Sequence, residues 1–173
     1  NLQLLAVGFP AGLDGGLAGH GVQQLVPDGV RIGTKRIEKA SQDIHEDTLI
    51  SEIKIENPSK YVSRGGVKLE AAIFSFKPEI EGKIALDLGA STGGFTDCLL
   101  QNGAQRVYAV VVGHGQLDPM LQRDARVISM EGTNARYLTP DMTGAICDIA
   151  VSDLSFISQA LIYPTVRANV KDG

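Results

Sequence analysis

The sequence predicts an α/β fold, with a parallel sheet covered by helices on both faces and a smaller strand-containing unit before it. The main observation is that strands alternate with helices after residue 57, and that these strands are continuous apolar runs. A second observation is the glycine-rich loop that joins the first of these strands to the next helix. A turn-forming triplet at residues 57–59 separates the two parts. We therefore expect a small unit at residues 1–56, a linker at 57–62 and the larger domain at 63–173.

Composition excludes several classes of protein. With 43% hydrophobic and 21% charged residues among 173, the chain can bury a core, which excludes bulk disorder. Its formal net charge of −4 gives no general attraction to a polyanion, so contact with a nucleic acid requires a local basic patch. The longest apolar run, Val107 to Val112, is far shorter than the roughly 20 residues of a membrane-spanning helix. No secretory signal is readable, and Cys98 and Cys147 form neither a disulfide framework nor a metal-binding pattern, which favours the cytoplasm.

The small unit is predicted to contain short strands joined by turns, at residues 29–32, 33–37 and 47–55. The segment at residues 12–21 is predicted to be a loop, because each glycine costs a helix about 1 kcal/mol relative to alanine. Acidic residues surround the strands, so a solvated hairpin is one reading of their basic residues. The other reading is contact with nucleic-acid phosphates, for which the candidates are Arg31, Lys35 and Arg36.

The larger domain is predicted to begin with a helix at residues 67–76, in which Leu69, Ile73 and Phe76 recur on one face. Four strands within residues 82–152 are expected to pair in the order 3-2-1-4. Because no strand is predicted beyond the fourth, its exposed edge should be unpaired and should favour self-association. The remaining predicted elements are strands at 84–88, 107–112, 126–130 and 146–152, and helices at 93–102 and 158–170.

The loop after the first of these strands carries the most specific signal for a ligand. Gly89, Gly93 and Gly94 let a ligand approach the backbone, and a helix N-terminus with unsatisfied N–H groups follows. The spacing differs from the G-x-G-x-x-G of dinucleotide-binding folds, and Asp87 lies two residues before the first glycine. We interpret the loop as a nucleotide-type site for a ligand with a polar or positive end. The alternative is that the glycines only tighten the packing of helix on strand, in which a strand-ending aspartate has no evident part.

Five motifs follow one another along the chain: YVSRGGVKL from residue 61, DLGASTGGFT from 87, GHGQL from 113, RV from 126 and DLSFIS from 153. They resemble the TlyA or hemolysin A family of FtsJ-like, S-adenosylmethionine-dependent ribosomal RNA 2′-O-methyltransferases. Residues 22–55 more weakly resemble the small RNA-binding module, shared with ribosomal proteins, that this family carries at its N-terminus. The resemblance implies a Rossmann-like methyltransferase domain, ribosomal RNA or ribosomal subunits as the partner, and a cytoplasmic enzyme.

The resemblance also assigns site residues. Lys68 looks like the first lysine, and Asp153 like the aspartate, of a catalytic set that holds a second lysine and a glutamate. A ribose 2′-hydroxyl is a poor nucleophile, so a lysine amine, tuned by burial or by a neighbouring carboxylate, can take or hold its proton. Both residues are expected at the carboxyl edge of the sheet, where open α/β sheets bind ligands. Taken alone, they would be a solvated lysine and a helix cap. S-adenosylmethionine is expected to contact Asp87, Gly89, Ala90, Ser91, Thr92, Gly93, Gly94, Phe95 and Asn134.

The chain departs from the family pattern at two points. Val111 closes the second strand, where the family has an aspartate that holds the ribose hydroxyls of the cofactor. Residues 171–173 resemble the turn before the family's fifth strand, so the second lysine and the glutamate have no counterpart and little or no activity is expected of this chain alone. A non-catalytic protein that binds S-adenosylmethionine and RNA is therefore the alternative reading. A membrane-lytic hemolysin is less favoured, because no basic amphipathic helix is readable. Arg64, beside two glycines, is a further candidate for contact with RNA or with the carboxylate of the cofactor.

Overall fold

The computed structural model describes residues 4–6, 29–32, 34–37, 51, 53–56, 60–154 and 158–172. These residues belong to two compact units, one formed by residues 14–60 and the other by residues 1–13 together with 61–173. The loop predicted at residues 12–21 lies outside the described residues. Within the described part of the chain, no helix combines the length and the apolar character needed to cross a membrane.

The smaller unit contains an antiparallel sheet of three strands, as the sequence predicted. These are β2 (Gly29–Ile32), β3 (Lys35–Ile37) and β4 (Ile53–Glu56), in the order β3-β2-β4. The register places Arg31 opposite Arg36 on one neighbouring strand and opposite Lys54 on the other. The register therefore places three basic residues at one position across the three strands.

The larger unit contains a parallel sheet of five strands, which are β1 (Leu4–Ala6), β5 (Ile84–Leu88), β6 (Arg106–Val110), β7 (Val127–Met130) and β8 (Ile149–Ser152). Their order across the sheet is β1-β8-β5-β6-β7. The predicted order of the four central strands is confirmed. The prediction of an unpaired edge on β8 is wrong, because β1 (Leu4–Ala6) pairs with it in parallel register and removes the reason given for self-association. An apolar run of three residues is too short to be recognised as a strand from its sequence. The four strands that were predicted are therefore β5, β6, β7 and β8.

Helices cover both faces of this sheet. One face packs against α1 (Arg64–Phe76) and α2 (Gly94–Gln101), and the other against α5 (Gln159–Asn169), so the predicted layering is confirmed. Side chains of successive strand residues alternate between the two cores: Ala85 lies in the first and Leu86 in the second. Three short helices were not predicted, because four or fewer residues show no helical periodicity. They are α3 (Pro119–Gln122), a 3₁₀ helix (Ala135–Tyr137) and α4 (Pro140–Thr143).

The N-termini of α1 and α2 pack directly on each other through glycines. A Cβ atom on Gly94 would lie against the Ser63 hydroxyl and 2.8 Å from the backbone nitrogen of Gly66. A Cβ atom on Gly66 would in turn overlap the buried ring of Tyr61. Gly94 and Gly66 are therefore required by the close packing of α1 on α2.

We expect Gly94→Ala to lower the free energy of unfolding by about 1–3 kcal/mol, the usual cost of overpacking, because the backbone of Gly66 cannot rotate away. Urea denaturation followed by circular dichroism measures this. Gly65→Ala is the matched control: its Cβ would meet only ordinary contacts, at 3.4 Å from the Ser63 hydroxyl and 3.5 Å from the Phe95 ring. That variant should be unchanged or more stable by up to about 1 kcal/mol. Equal stability of the two variants would contradict the packing argument.

Candidate active site

A cavity of about 190 Å³ opens at the carboxyl ends of the central strands. Each central strand contributes a residue at or after its end, as ligand sites in open α/β sheets require. Gly89 follows β5, Val112 follows β6, Asn134 follows β7 and Leu154 follows β8. The lining is mainly apolar with two polar side chains, a composition that suits the flat face of a base. The complete lining is Gly89, Val110, Val112, Thr133, Asn134, Ala135, Leu154 and Ile162.

The structure separates the predicted cofactor-binding residues into three groups. Gly89 and Asn134 line the cavity, and the Asn134 side-chain oxygen also caps the 3₁₀ helix by accepting a hydrogen bond from the Arg136 N–H at 3.0 Å. Ser91 and Thr92 are exposed on the loop, where Ser91 has the left-handed φ of 51°. The others are buried in the packing of α2 on its neighbours, and they are Asp87, Ala90, Gly93, Gly94 and Phe95.

Asp87 has a packing role that the sequence analysis did not expect. Its carboxylate is 1% exposed and accepts hydrogen bonds from the hydroxyl of Thr96, at 2.7 Å, and from the Thr96 backbone. These bonds fasten the first turn of α2 to β5. Burial raises the pKa of Asp87 to about 7, the bonds from Thr96 oppose that rise, and the negative charge of Asp153 adds to it. Asp87 is thus a buried carboxyl group whose pKa also responds to the charge of Asp153.

Lys68 and Asp153 form an ion pair beside the cavity. The Lys68 Nζ lies 3.0 Å from an Asp153 carboxylate oxygen, although 85 residues separate them. The two side chains are 48% and 35% exposed, so a substrate can reach them from solvent. Leu154, the residue after Asp153, lines the cavity. The sequence placed both residues at the carboxyl edge of the sheet, and the structure brings them into contact there.

Val111 is turned away from the cavity. Its side chain is 2% exposed and packs in the core beside Leu117 and Leu121, whereas its neighbours Val110 and Val112 line the cavity. Both Val111 backbone groups are used in pairing with the end of β7, its N–H with Met130 and its carbonyl with Thr133. Among the cavity-lining residues that the structure describes, none is acidic.

The basic candidates lie in different units. Arg64 is exposed in the first turn of α1, four residues before Lys68 and therefore on the same side of that helix. Arg31 lies on β2 of the smaller unit, and Lys35 and Arg36 lie on β3; the register pairs Arg31 with Arg36 and with Lys54, and Lys35 with Ile32. Lys54 was missed because only the strand register shows that it is paired with Arg31.

Several site residues were not predicted from the sequence. Val112, Thr133, Leu154 and Ile162 line the cavity, yet none carries a charged group that marks it in a sequence. The first three follow strand ends, so the edge rule for parallel sheets was the signal that could have found them. Asp97, buried in α2, accepts a hydrogen bond from the Val62 N–H at 2.9 Å and so holds the residues that lead into α1.

A parallel sheet in this order, with a glycine loop after its first central strand and a Lys–Asp pair at its carboxyl edge, defines a Rossmann-like methyltransferase fold. The chain belongs to the FtsJ-like methyltransferase family, whose model matches residues 61–170. It is 48% identical over 139 residues to a Bacillus subtilis protein named as an rRNA methyltransferase, YqxC, covering 80% of this chain and 49% of that protein.

Further similar proteins carry the names hemolysin A and TlyA. The chain is 46% identical to Hemolysin A of Brachyspira hyodysenteriae, over 74% of this chain and 54% of that protein. It is also 46% identical to the Mycobacterium tuberculosis 16S/23S rRNA (cytidine-2′-O)-methyltransferase TlyA, over 69% of this chain and 45% of that protein. A solved structure described as a hemolysin from Streptococcus thermophilus has a TM-score of 0.65 and 50% identity, covering 70% of this chain and 45% of that one. The chain spans about half the length of the curated relatives it matches.

Proposed function

We propose that this chain takes part in S-adenosylmethionine-dependent 2′-O-methylation of ribosomal RNA, with Lys68 and Asp153 as its catalytic residues. The observation that carries the proposal is the ion pair between them, which stands at the edge of the cavity and is open to solvent. The names of the relatives support the reaction and the substrate class. From ribosomal RNA as the proposed substrate, we infer that the protein acts in the cytoplasm.

The residues that line the cavity suit the adenine of S-adenosylmethionine, and the rest of the cofactor would meet residues outside the cavity. Val112, Leu154 and Ile162 offer apolar contacts for the adenine ring, and the amide of Asn134 offers a polar group at its edge. The exposed loop residues Ser91 and Thr92 are available to the rest of the cofactor. The ribose hydroxyls lack the carboxylate that the family pattern provides, because Val111 stands at that position.

The chemistry requires removal of a proton from a ribose 2′-hydroxyl. S-adenosylmethionine, when bound, supplies the sulfonium methyl group that this oxygen accepts. Asp153 holds the Lys68 Nζ in place through a charged hydrogen bond of 3.0 Å, which fixes a flexible side chain at the cavity edge. As the neutral amine, after its own proton has passed to solvent, Lys68 would accept the hydroxyl proton while the oxygen attacks. Because Lys68 is half exposed, the neighbouring carboxylate rather than burial is what orients it.

Two basic regions support RNA binding. Arg64 projects from α1 on the side of Lys68, which suits contact with a phosphate next to the reacting nucleotide. In the smaller unit, the strand register brings Arg31, Arg36 and Lys54 to one position across three strands, and such a group of basic residues suits contact with a polyanion. We propose that the smaller unit, at residues 14–60, is the degenerate RNA-binding module of the family; residues 4–6 were also predicted to belong to that module, but they form β1 of the larger sheet.

The binding-only alternative keeps a specific observation in its favour, the valine at position 111. Incubation of the chain with tritiated S-adenosylmethionine and ribosomal subunits separates the two functions. Because little activity is expected of this chain alone, the proposal predicts a low level of tritium in ribosomal RNA, at an alkali-resistant linkage, since a methylated 2′-oxygen cannot attack its own phosphate. Cofactor and RNA binding without incorporation would establish the binding-only function instead.

The family pattern predicts that Val111→Asp binds S-adenosylmethionine more tightly than the unsubstituted chain by about one to two decades, because two ribose hydroxyls that bond to a carboxylate contribute about 1.5–3 kcal/mol. The orientation of Val111, whose side chain packs in the core, predicts no gain unless the aspartate turns out of the core toward the cavity. Without cofactor, the same variant should be less stable, because an unpaired carboxylate replaces a side chain that is 2% exposed. Isothermal titration calorimetry and thermal unfolding with and without cofactor measure the two effects.

Two controls separate ribose contact from general electrostatics. Val112→Asp puts the same charge one residue further along, at a position that lines the cavity, and a gain there but not in Val111→Asp would show that the ribose hydroxyls lie on the Val112 side of the strand end. Val111→Asn keeps the capacity to form hydrogen bonds but carries no charge. Its affinity can therefore still be measured if Val111→Asp does not fold. Equal affinity of all variants would mean that position 111 does not meet the ribose.

A further inference from the structure

The 3₁₀ helix beside the cavity carries an exposed aromatic ring paired with a guanidinium. Tyr137 ends this helix and is 67% exposed. The guanidinium carbon of Arg136 lies 5.6 Å from the centre of the Tyr137 ring, within the range of a cation–π contact. Neither residue is needed to cover the core, and the proposed reaction does not use them.

The backbone beneath this pair is held from several sides. The Asn134 side chain accepts from the Arg136 N–H at 3.0 Å, and the Asn134 carbonyl accepts from the Tyr137 N–H at 2.9 Å. The Thr165 hydroxyl of α5 donates to the Arg136 carbonyl at 2.9 Å. Ala135 and Leu138, on either side of the pair, are buried. An exposed ring on such a fixed turn is preorganised for a flat ligand, because little backbone entropy is lost on binding.

The same turn borders the candidate cofactor site. Asn134 and Ala135 line the cavity, and Arg136 and Tyr137 follow them directly in the chain. A nucleic acid whose reacting ribose enters at Lys68 would carry its neighbouring nucleotides over the surface around the cavity. Unpaired RNA bases are commonly held by stacking on aromatic rings and on arginine planes, and such stacking contributes about 1–3 kcal/mol per base.

We propose that Tyr137, with Arg136 beside it, is a stacking platform for an unpaired base of the RNA substrate. The chain has a formal net charge of −4, so RNA affinity depends on local features of this kind rather than on overall charge. The platform makes single-stranded or looped RNA the favoured substrate form, since a base inside a duplex has no free face to offer. This inference rests on the proposed function for its substrate class only, and it needs no methyl transfer.

Fluorescence anisotropy with a short, labelled, single-stranded RNA of mixed sequence, in the absence of cofactor, tests the platform. We expect Tyr137→Ala to weaken binding by about fivefold to hundredfold, and Tyr137→Phe, which keeps the ring, to bind as the unsubstituted chain does. The same RNA annealed to its complement should bind more weakly and should be insensitive to Tyr137→Ala. Tyr163→Ala, which removes a 45% exposed ring from α5, is the matched control and should leave affinity unchanged.

Thermal unfolding of each variant confirms that the turn stays folded. The proposal is overturned by undetectable binding of the unsubstituted chain, by unchanged affinity of Tyr137→Ala, or by equal losses in the alanine and phenylalanine variants. Because Lys68 and Asp153 are left intact and no cofactor is present, absence of methyl transfer would not affect this outcome. Conversely, loss of the platform would not contradict the assignment of the ion pair.

Discussion

Replacing Lys68 by alanine is expected to lower the rate of methyl transfer to ribosomal RNA by about 10²–10⁴, the usual contribution of a positioned acid–base group. The variant leaves the 2′-hydroxyl proton without an acceptor and leaves Asp153 without its partner at 3.0 Å. Single-turnover transfer from tritiated S-adenosylmethionine to ribosomal subunits measures the chemical step. Lys68 is half exposed on α1, so stability should change little.

Asp153→Asn extends this test, because it removes the charge that positions Lys68 and keeps the size of the side chain. If the two residues act as a unit, the double variant should be no slower than Lys68→Ala alone. The pair of Lys83 with Glu79, 3.1 Å apart and four residues from each other in sequence, is a matched control. Lys83→Ala should transfer at the normal rate. Robust turnover by Lys68→Ala would show that the ion pair is structural and that the base lies elsewhere.

The contact between Lys68 and Asp153 was predictable because it follows from the order of the strands in the sheet. Lys68 follows a glycine pair on the helix before the first central strand, and Asp153 directly follows the last one, so a parallel sheet brings both to its carboxyl edge. The prediction needed only the strand order and the motif that surrounds each residue. Their contact at 3.0 Å is a consequence of that order.

The role of Asp87 was not predictable in the same way. Its position two residues before Gly89 indicated a ligand, but whether a strand residue faces a ligand or a helix depends on what packs above it. Thr96, nine residues later, takes up the carboxylate from the first turn of α2. Such a bond depends on the rotation of α2 about its own axis, which the spacing of glycines does not determine.

Val111 is a second residue whose side-chain direction could not be predicted from the sequence. The sequence located it at the end of the second central strand, yet strand alternation turns its side chain into the core and gives Val110 and Val112 to the cavity. The Tyr137 ring was missed for a different reason, since a helix of three residues leaves no periodic pattern. The sequence therefore predicts the topology and the convergence of Lys68 and Asp153 at the carboxyl edge of the sheet, and it predicts side-chain direction near that edge poorly.

The stability of this protein should depend on pH through Asp87, and Asp87→Asn should remove that dependence. Burial raises the pKa of Asp87 to about 7 in the folded state, against about 3.9 in an unfolded chain. Between these values the folded state holds a proton that the unfolded state has released. The stabilising contribution is therefore complete below about pH 4 and is lost as the pH rises through about 7.

The difference of about three pKa units corresponds to at most about 4 kcal/mol, so Asp87→Asn should gain on the unsubstituted protein by up to that amount between pH 4 and 8. The amide oxygen of asparagine can still accept the Thr96 hydroxyl. Urea denaturation at a series of pH values measures the difference. Asp148→Asn is the control with the opposite sign: Lys171 and the Ile84 N–H lower the pKa of Asp148, so its contribution is present above about pH 4 and is lost in acid. A flat difference for Asp87→Asn, or one that follows Asp148→Asn, would show that Asp87 stays ionised in the folded protein.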